Sequence, residues 1–137
     1  MKEPAMLNPR RLFLQWLPTL PLLGLITPPA LAQPVPRKLL MNQFRVAGLA
    51  YYDVRMAIHA IQPGDPLRLV AESTNLHDEF AVELWHGDRK LGYIPRSDNR
   101  HLSRLLQQGA SLACEVWASD PDATVWEMVR AKVYLLT

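Results

Sequence analysis

The chain has 137 residues, of which 15 are basic and 13 acidic, and it contains a single cysteine. This length corresponds to one domain, and one cysteine excludes an internal disulfide and the zinc ribbons that need several thiolates. Three basic residues and one acidic residue fall within the first 32 positions, which leaves 12 of each sign in the remainder. Because that remainder has no formal net charge, any phosphate binding must rely on a local cluster of cations.

The first 32 residues have the pattern of a cleavable signal peptide. Basic residues precede a short apolar run, and Ala30-Leu31-Ala32 is a small-x-small cleavage site. The apolar run is too short and too rich in proline for a typical membrane-spanning helix, so an uncleaved anchor is the weaker alternative. Arg10-Arg11-Leu12-Phe13-Leu14 is similar to a twin-arginine signal. The pattern predicts an exported, periplasmic or secreted protein, whereas translation from Met41 would leave the domain in the cytoplasm.

The mature chain is predicted to consist of an extended leader, residues 33–42, followed by a domain of residues 43–137. Phe44-Arg45-Val46 alternates between apolar and polar residues and predicts a first strand. Pro63-Gly64-Asp65-Pro66 is a strong turn signal, and it leads into a second strand that begins at Leu67.

The middle of the chain predicts a β-hairpin followed by a helix. Val82-Glu83-Leu84-Trp85 and residues 91–95 flank the turn residues His86-Gly87-Asp88. Gly92 in the returning strand indicates a bulge or the close approach of another backbone segment. The helix is recognised from leucines at helical spacing, with Ser97 or Asp98 as its predicted cap. These leucines are Leu102, Leu105 and Leu106.

Two further alternating segments, residues 112–117 and 129–135, predict long strands at the end of the chain. The sum is about six strands and one or two helices, without the alternation of strand and helix that parallel sheets require. The predicted fold is therefore mainly β, a small and partly open antiparallel barrel.

Three segments of the chain resemble, in their order and spacing, the motifs of the HIRAN domain family. They are Phe44-Arg45-Val46-Ala47-Gly48-Leu49-Ala50-Tyr51-Tyr52, Asn75-Leu76-His77-Asp78-Glu79-Phe80-Ala81-Val82 and Leu91-Gly92-Tyr93-Ile94-Pro95-Arg96. The resemblance covers about residues 43–136. It implies an OB-like barrel that binds nucleic acid without catalysis or a cofactor. In the helicase-like transcription factor, the family's domain captures the 3′ end of single-stranded DNA.

The resemblance also implies which side chains contact the nucleic acid. The positions concerned are Tyr51, Tyr52, Asp78, Tyr93, Arg96 and Trp126. Tyr51, Tyr52 and Trp126 would stack on bases, and Asp78 would accept a hydrogen bond from a terminal 3′-hydroxyl. Core packing of the aromatic rings and an Asx-turn role for Asp78 are the alternatives. The chain departs from the family at Ala50, where the helicase relative has a basic residue.

Arginines recur every four residues at the start of the predicted helix. Arg100 and Arg104 must share one helix face, and Arg96 lies just before it, so the three predict a track for phosphate groups. A solvated helix face is the alternative interpretation. Arg130 and Lys132 share one face of the last strand and would extend this patch.

The remaining patterns indicate neither a metal site nor an enzyme. No two of the four histidines are spaced for a shared helix face, and no nucleophile motif or phosphate loop occurs. The alternative function is an extracytoplasmic module that holds a peptide, glycan or protein in the same barrel groove. The balanced charge and the predicted export signal favour that alternative, since OB-like grooves also bind oligosaccharides.

Overall fold

The computed structural model describes Gly24 and residues 28–137. The predicted twin-arginine motif and most of the predicted signal peptide lie outside these described residues. The helices and strands below all belong to the unit Pro34–Thr137. Among the helices at the described positions, none has the length and apolar character needed to cross a membrane.

Six antiparallel strands form one sheet, which confirms the predicted mainly β fold. The strands are β1 Lys38–Arg45, β2 Pro66–Ala71, β3 Val82–His86, β4 Arg89–Tyr93, β5 Leu112–Ser119 and β6 Val129–Leu136. The helices are α1 Val54–Ala57 and α2 Arg96–Gln107, and the 3₁₀ turns are Leu49–Tyr51 and Ile58–Ala60. The strand order is β1-β6-β5-β2-β3-β4, so β3 and β4 are neighbours and the predicted hairpin is confirmed.

The two edge strands, β1 and β4, are joined where β1 ends. Ala47 and Tyr93 form an isolated antiparallel bridge in which each backbone N–H donates to the other carbonyl at 2.9 Å. The bridge brings the sheet edges together at one end, and the sheet is otherwise not closed. This is the partly open, OB-like barrel that the sequence predicts.

The core lies inside the curved sheet. Alternate residues of β6, namely Val129, Ala131 and Val133, are buried, as are Leu84 and Leu91 of the hairpin. Helix α2 covers this interior through Leu102, while Leu106 packs at its margin. Full burial of one of these valine or leucine side chains contributes roughly 1.5–3 kcal/mol. Cys114 belongs to the same cluster, and burial raises the pKa of its thiol to about 12.

The start of strand β1 and the N-terminal cap of helix α2 differ from the sequence prediction. Strand β1 begins at Lys38, so the end of the predicted leader, residues 33–42, pairs with β6 instead of remaining outside the sheet. The half of β1 before Asn42 is exposed and carries a register shift, which hides its alternation. Helix α2 follows Pro95, and no side chain of the described residues caps it. Asp98 instead accepts a hydrogen bond at 2.9 Å from the side chain of Asn42 in β1.

Candidate functional site

A cleft of about 430 Å³ opens beside the Ala47–Tyr93 bridge. Its walls come from the segment after β1, the loop between β2 and β3, and the end of β4 with the start of α2. These are the same three segments that carry the family resemblance. The predicted site residues that line the cleft are Tyr51, Tyr52, Asp78, Tyr93 and Arg96, together with Asn75 and His77. The fold therefore brings together side chains from three separated parts of the chain.

Aromatic rings form one wall and the rim of the cleft. Tyr52 and Tyr93 lie with their ring centroids 6.2 Å apart and their planes inclined at 59°, while Tyr51 at the rim is 80% exposed. Gly48 has a φ of 78°, and a Cβ there would lie 3.8–4.0 Å from atoms of all three rings. The backbone thus turns sharply at a residue without a side chain and places the two consecutive tyrosines beside the third.

Lys90 contacts both tyrosines of the cleft wall, Tyr52 and Tyr93. Its ammonium group donates hydrogen bonds to Glu83 at 3.0 Å and to the Tyr93 hydroxyl at 2.8 Å. It also lies 4.9 Å from the ring centroid of Tyr52 and 4.4 Å from that of Tyr93. Burial alone would lower the pKa of Lys90, but the hydrogen bonds to Tyr93 and Glu83 outweigh it and raise that pKa. Lys90 therefore stays charged. It places a cation beside the tyrosines, whereas Ala50 stands where the helicase relative has a basic residue.

We expect Lys90→Met to lower the free energy of unfolding by about 2 kcal/mol at neutral pH. The Lys90 and Glu83 side chains are only 18% and 16% exposed, so removal of the cation leaves a largely buried carboxylate without its partner. Urea unfolding followed by circular dichroism measures the loss. The double variant Lys90→Met/Glu83→Gln should recover at least half of it. An equal loss in the two variants would show that the ion pair is not responsible.

The Lys90–Glu83 ion pair also predicts how the stability of the domain depends on pH. Burial raises the pKa of Glu83, but hydrogen bonds from Lys90 and Trp85 together outweigh it, and the pKa lies below its usual value of 4.5. The stabilisation linked to Glu83 is therefore present above about pH 4.5 and is lost as the pH falls through its folded-state pKa. We expect Lys90→Met to lose less of its stability in this acidic range than the unmodified chain does.

Asp78 faces the cleft and is also part of a turn. Its Oδ1 accepts a hydrogen bond from the backbone N–H of Phe80 at 2.9 Å, and its Oδ2 accepts one from the side chain of Asn99 at 2.7 Å. The Nε of Arg96 lies 3.7 Å from the same Oδ2. The turn role and the cleft position of Asp78 thus coexist. A carboxylate has about four lone-pair sites, so Asp78 retains the capacity to accept from a ligand.

Two residues of the site were missed by sequence reasoning. Asn99 is buried at the cleft, one helical turn before Leu102, and a polar residue on that apolar stripe was the available signal. Lys90 could have been found from the hairpin, since opposite charges at Glu83 and Lys90 share one face of two paired strands.

Three predicted site residues lie elsewhere. The guanidinium carbons of Arg100 and Arg104 are 5.2 and 5.4 Å from the ring centroid of Phe80, and neither residue is among the described residues that line the cleft. Trp126, in the connection between β5 and β6, is 59% exposed and is also outside the lining. The predicted series of arginines is thus divided, because Arg96 alone turns toward the cleft.

Arg130 and Lys132 do not extend the patch on α2. They alternate with buried residues of β6 and so point away from the core, whereas α2 packs on the core through Leu102. The two groups of cations therefore lie on different surfaces of the domain.

Comparisons with known proteins agree with this geometry. The model of the HIRAN domain family matches residues 40–136, whereas no curated protein matches the chain. A solved structure of a protein from Lactobacillus plantarum is similar, with a TM-score of 0.65 and 25% identity over 74% of this chain and 98% of that chain. The HIRAN domain of human HLTF has the same fold, with a TM-score of 0.51 and 14% identity over 72% of this chain and 78% of that chain. Since the family model spans most of the sequence and its motifs converge on one cleft, the chain belongs to the HIRAN domain family.

Proposed function

We propose that this domain binds single-stranded nucleic acid and holds a 3′ end in the cleft. HIRAN domains bind nucleic acids. The observation that carries the finer proposal is the convergence of aromatic rings, a carboxylate and an arginine from the three family motifs on a single cleft. The proposal describes a binding module and assigns no catalytic step to the chain.

The aromatic rings would supply most of the affinity. Each base stacked on an aromatic side chain contributes roughly 1–3 kcal/mol and needs no particular base sequence. Tyr51 presents an exposed ring at the rim, and Tyr52 and Tyr93 form the wall behind it. Arg96 is 74% exposed and donates a hydrogen bond to the carbonyl of His77 at 3.2 Å, so its guanidinium is available to a phosphate at the mouth of the cleft.

Asp78 would distinguish a free 3′-hydroxyl from a phosphorylated end. A carboxylate accepts a hydrogen bond from a hydroxyl and repels a phosphate. The hydrogen bonds from Asn99 and from the Phe80 backbone hold the Asp78 side chain in one orientation, so no ordering is needed when a ligand arrives.

We expect an oligonucleotide that ends in a 3′-hydroxyl to bind at least about tenfold more tightly than the same strand with a 3′-phosphate. A hydrogen bond to a charged group contributes roughly 1.5–3 kcal/mol, and the phosphate adds repulsion. Fluorescence anisotropy with strands labelled at the 5′ end measures both affinities. Asp78→Asn should narrow the difference, while Asp88→Asn, at an exposed position in the hairpin turn, should not. Equal affinities for the two ends would reject the role in end recognition and leave strand binding intact.

A glycan or peptide ligand is the second candidate. Among the described residues that line the cleft, Arg96 is the one arginine or lysine, and it already lies near a carboxylate. A cleft with aromatic walls and little net charge also suits a neutral ligand. A glycan or peptide captured from periplasm, with no oligonucleotide binding at low salt, would favour this candidate.

We also propose that the chain is exported, with a signal peptide of residues 1–32 and a mature protein that starts at Gln33. The sequence pattern of the first 32 residues supports this proposal. Mass spectrometry of the native N-terminus tests it, because a start at Met41 would instead place the domain in the cytoplasm.

A further inference from the structure

We propose that the side of the sheet facing away from the core binds the nucleotides that follow the one held in the cleft. This outer sheet face is defined by Arg45 of β1, Trp117 of β5, and Arg130 and Lys132 of β6. The inference rests on the proposed binding of a single strand, and it adds a second contact surface to that function.

The strand register collects cations on this face. Arg130 lies directly opposite Arg45, and Lys132 lies two residues further along the same side of β6. Arg45 forms an ion pair at 3.0 Å with Glu127. No ion pair within 4.0 Å involves Arg130 or Lys132 among residues 28–137, so these two cations are available to phosphate groups.

An exposed indole lies among these cations. The register between β5 and β6 shifts between Val116 and Ala118, and Trp117 at this bulge is 43% exposed. Bulges of this kind redirect a side chain relative to the regular alternation. The ammonium group of Lys132 lies 4.7 Å from the Trp117 ring centroid. Cations interleaved with an exposed aromatic ring are the features with which proteins hold single strands without sequence preference.

The outer sheet face is continuous with the cleft. Arg45 ends β1, and Ala47, two residues later on the same side of the extended chain, lines the cleft. The Arg45–Glu127 ion pair brings the connection between β5 and β6 to this point, and the exposed Trp126 immediately precedes Glu127. A strand that leaves the cleft past Ala47 therefore meets Arg45 and then Arg130 on the neighbouring strand.

The face also carries two acidic groups, Glu127 and Glu115, which lies directly opposite Lys132, and both are engaged with other partners. Glu115 accepts a hydrogen bond from the Tyr134 hydroxyl at 3.2 Å and lies 4.0 Å from the ammonium group of Lys38. Glu127 is paired with Arg45. The alternative phosphate-binding surface, formed by Arg100 and Arg104 on α2, lacks a comparable exposed ring. Phe80, which contacts both arginines, is half-buried. The exposed aromatic ring therefore favours the sheet over the helix.

The test compares a short and a long oligonucleotide on the full chain. OB-type sites hold roughly 4–16 nucleotides, so strands of about 4 and about 12 nucleotides with identical 3′ ends distinguish the cleft from the cleft plus the outer sheet face. The variants are Arg130→Gln/Lys132→Gln on the sheet and, as a charge-matched comparison, Arg100→Gln/Arg104→Gln on the helix. Trp117→Ala tests the aromatic contribution separately. Circular dichroism and thermal unfolding check that each variant is folded.

We expect the sheet variant to bind the long strand about tenfold more weakly and the short strand within about twofold of the unmodified chain. Each phosphate contact of a single strand contributes about 0.7 to the slope of log K against log salt concentration, so this slope should decrease by about 1.4. Trp117→Ala should likewise weaken binding of the long strand by at least about fivefold, since a single stacked base contributes roughly 1–3 kcal/mol.

Three results would overturn the inference. If the long strand binds no better than the short one, the cleft is the whole site, and the proposed function survives alone. If the helix variant loses as much affinity for the long strand as the sheet variant, or more, the strand follows α2 or responds only to total charge. If neither strand binds the unmodified chain, the proposed function fails and the inference fails with it.

Discussion

Gly92→Ala is expected to destabilise the domain by about 3 kcal/mol or more. A Cβ at this position would overlap the carbonyl oxygen of Ala47 and would come within 3.3 Å of the Val46 side chain. Ala47 cannot withdraw without breaking the two backbone hydrogen bonds that it exchanges with Tyr93. Overpacking of this kind costs about 1–3 kcal/mol, and each lost hydrogen bond adds about 1 kcal/mol. Since small domains are stable by only about 5–15 kcal/mol, this one substitution removes a large part of the total.

Urea unfolding of Gly92→Ala and of Gly64→Ala distinguishes two causes of destabilisation: steric overlap of the new Cβ with Ala47, and backbone strain at a positive φ. Gly92 and Gly64 both have a positive φ, of 156° and 91°, but no atom of the described residues lies within 4 Å of a Cβ built on Gly64. We expect Gly64→Ala to lose only about 1–2 kcal/mol, the cost of a left-handed conformation for a residue with a side chain. Similar losses in the two variants would show that the approach of Ala47 to Gly92 is not the reason for the glycine.

Tyr51→Ala is expected to weaken binding of a single strand by at least about tenfold while leaving the stability of the domain within about 0.5 kcal/mol. The ring is largely exposed, so its removal opens no cavity in the core. Loss of one base–aromatic stack removes roughly 1–3 kcal/mol of binding free energy. Anisotropy titration gives the affinity, and urea unfolding gives the stability.

Met56→Ala is the matched control for Tyr51→Ala. Met56 is an equally exposed apolar side chain in the neighbouring helix α1, and it is outside the lining of the cleft. Its removal should change neither affinity nor stability. If Tyr51→Ala retained full affinity, the ligand would not contact the rim of the cleft, and the stacking role would pass to Tyr52 and Tyr93.

The local sequence determined most of the secondary structure because each element depends on near neighbours. Alternation along residues 129–135 predicted β6, and the turn at His86-Gly87-Asp88 predicted the pairing of β3 with β4. Gly92 was predicted to mark a bulge or a close backbone approach, and both are present, since the β3–β4 register shifts between Leu84 and Trp85. The resemblance to the HIRAN family, which depends on three short motifs in order, was confirmed. The predicted export signal remains a prediction.

Tertiary structure alone decided which side chains meet. Spacing placed Arg96, Arg100 and Arg104 in one series, but only the packing of Phe80 against α2 separated the last two from the cleft. Lys90 reached the tyrosines through strand pairing, and Asn99 reached Asp78 from another element. Periodicity shows which face a residue occupies within its own element. What that face contacts is set by the register and packing of segments far apart in the chain, and no local pattern contains that information.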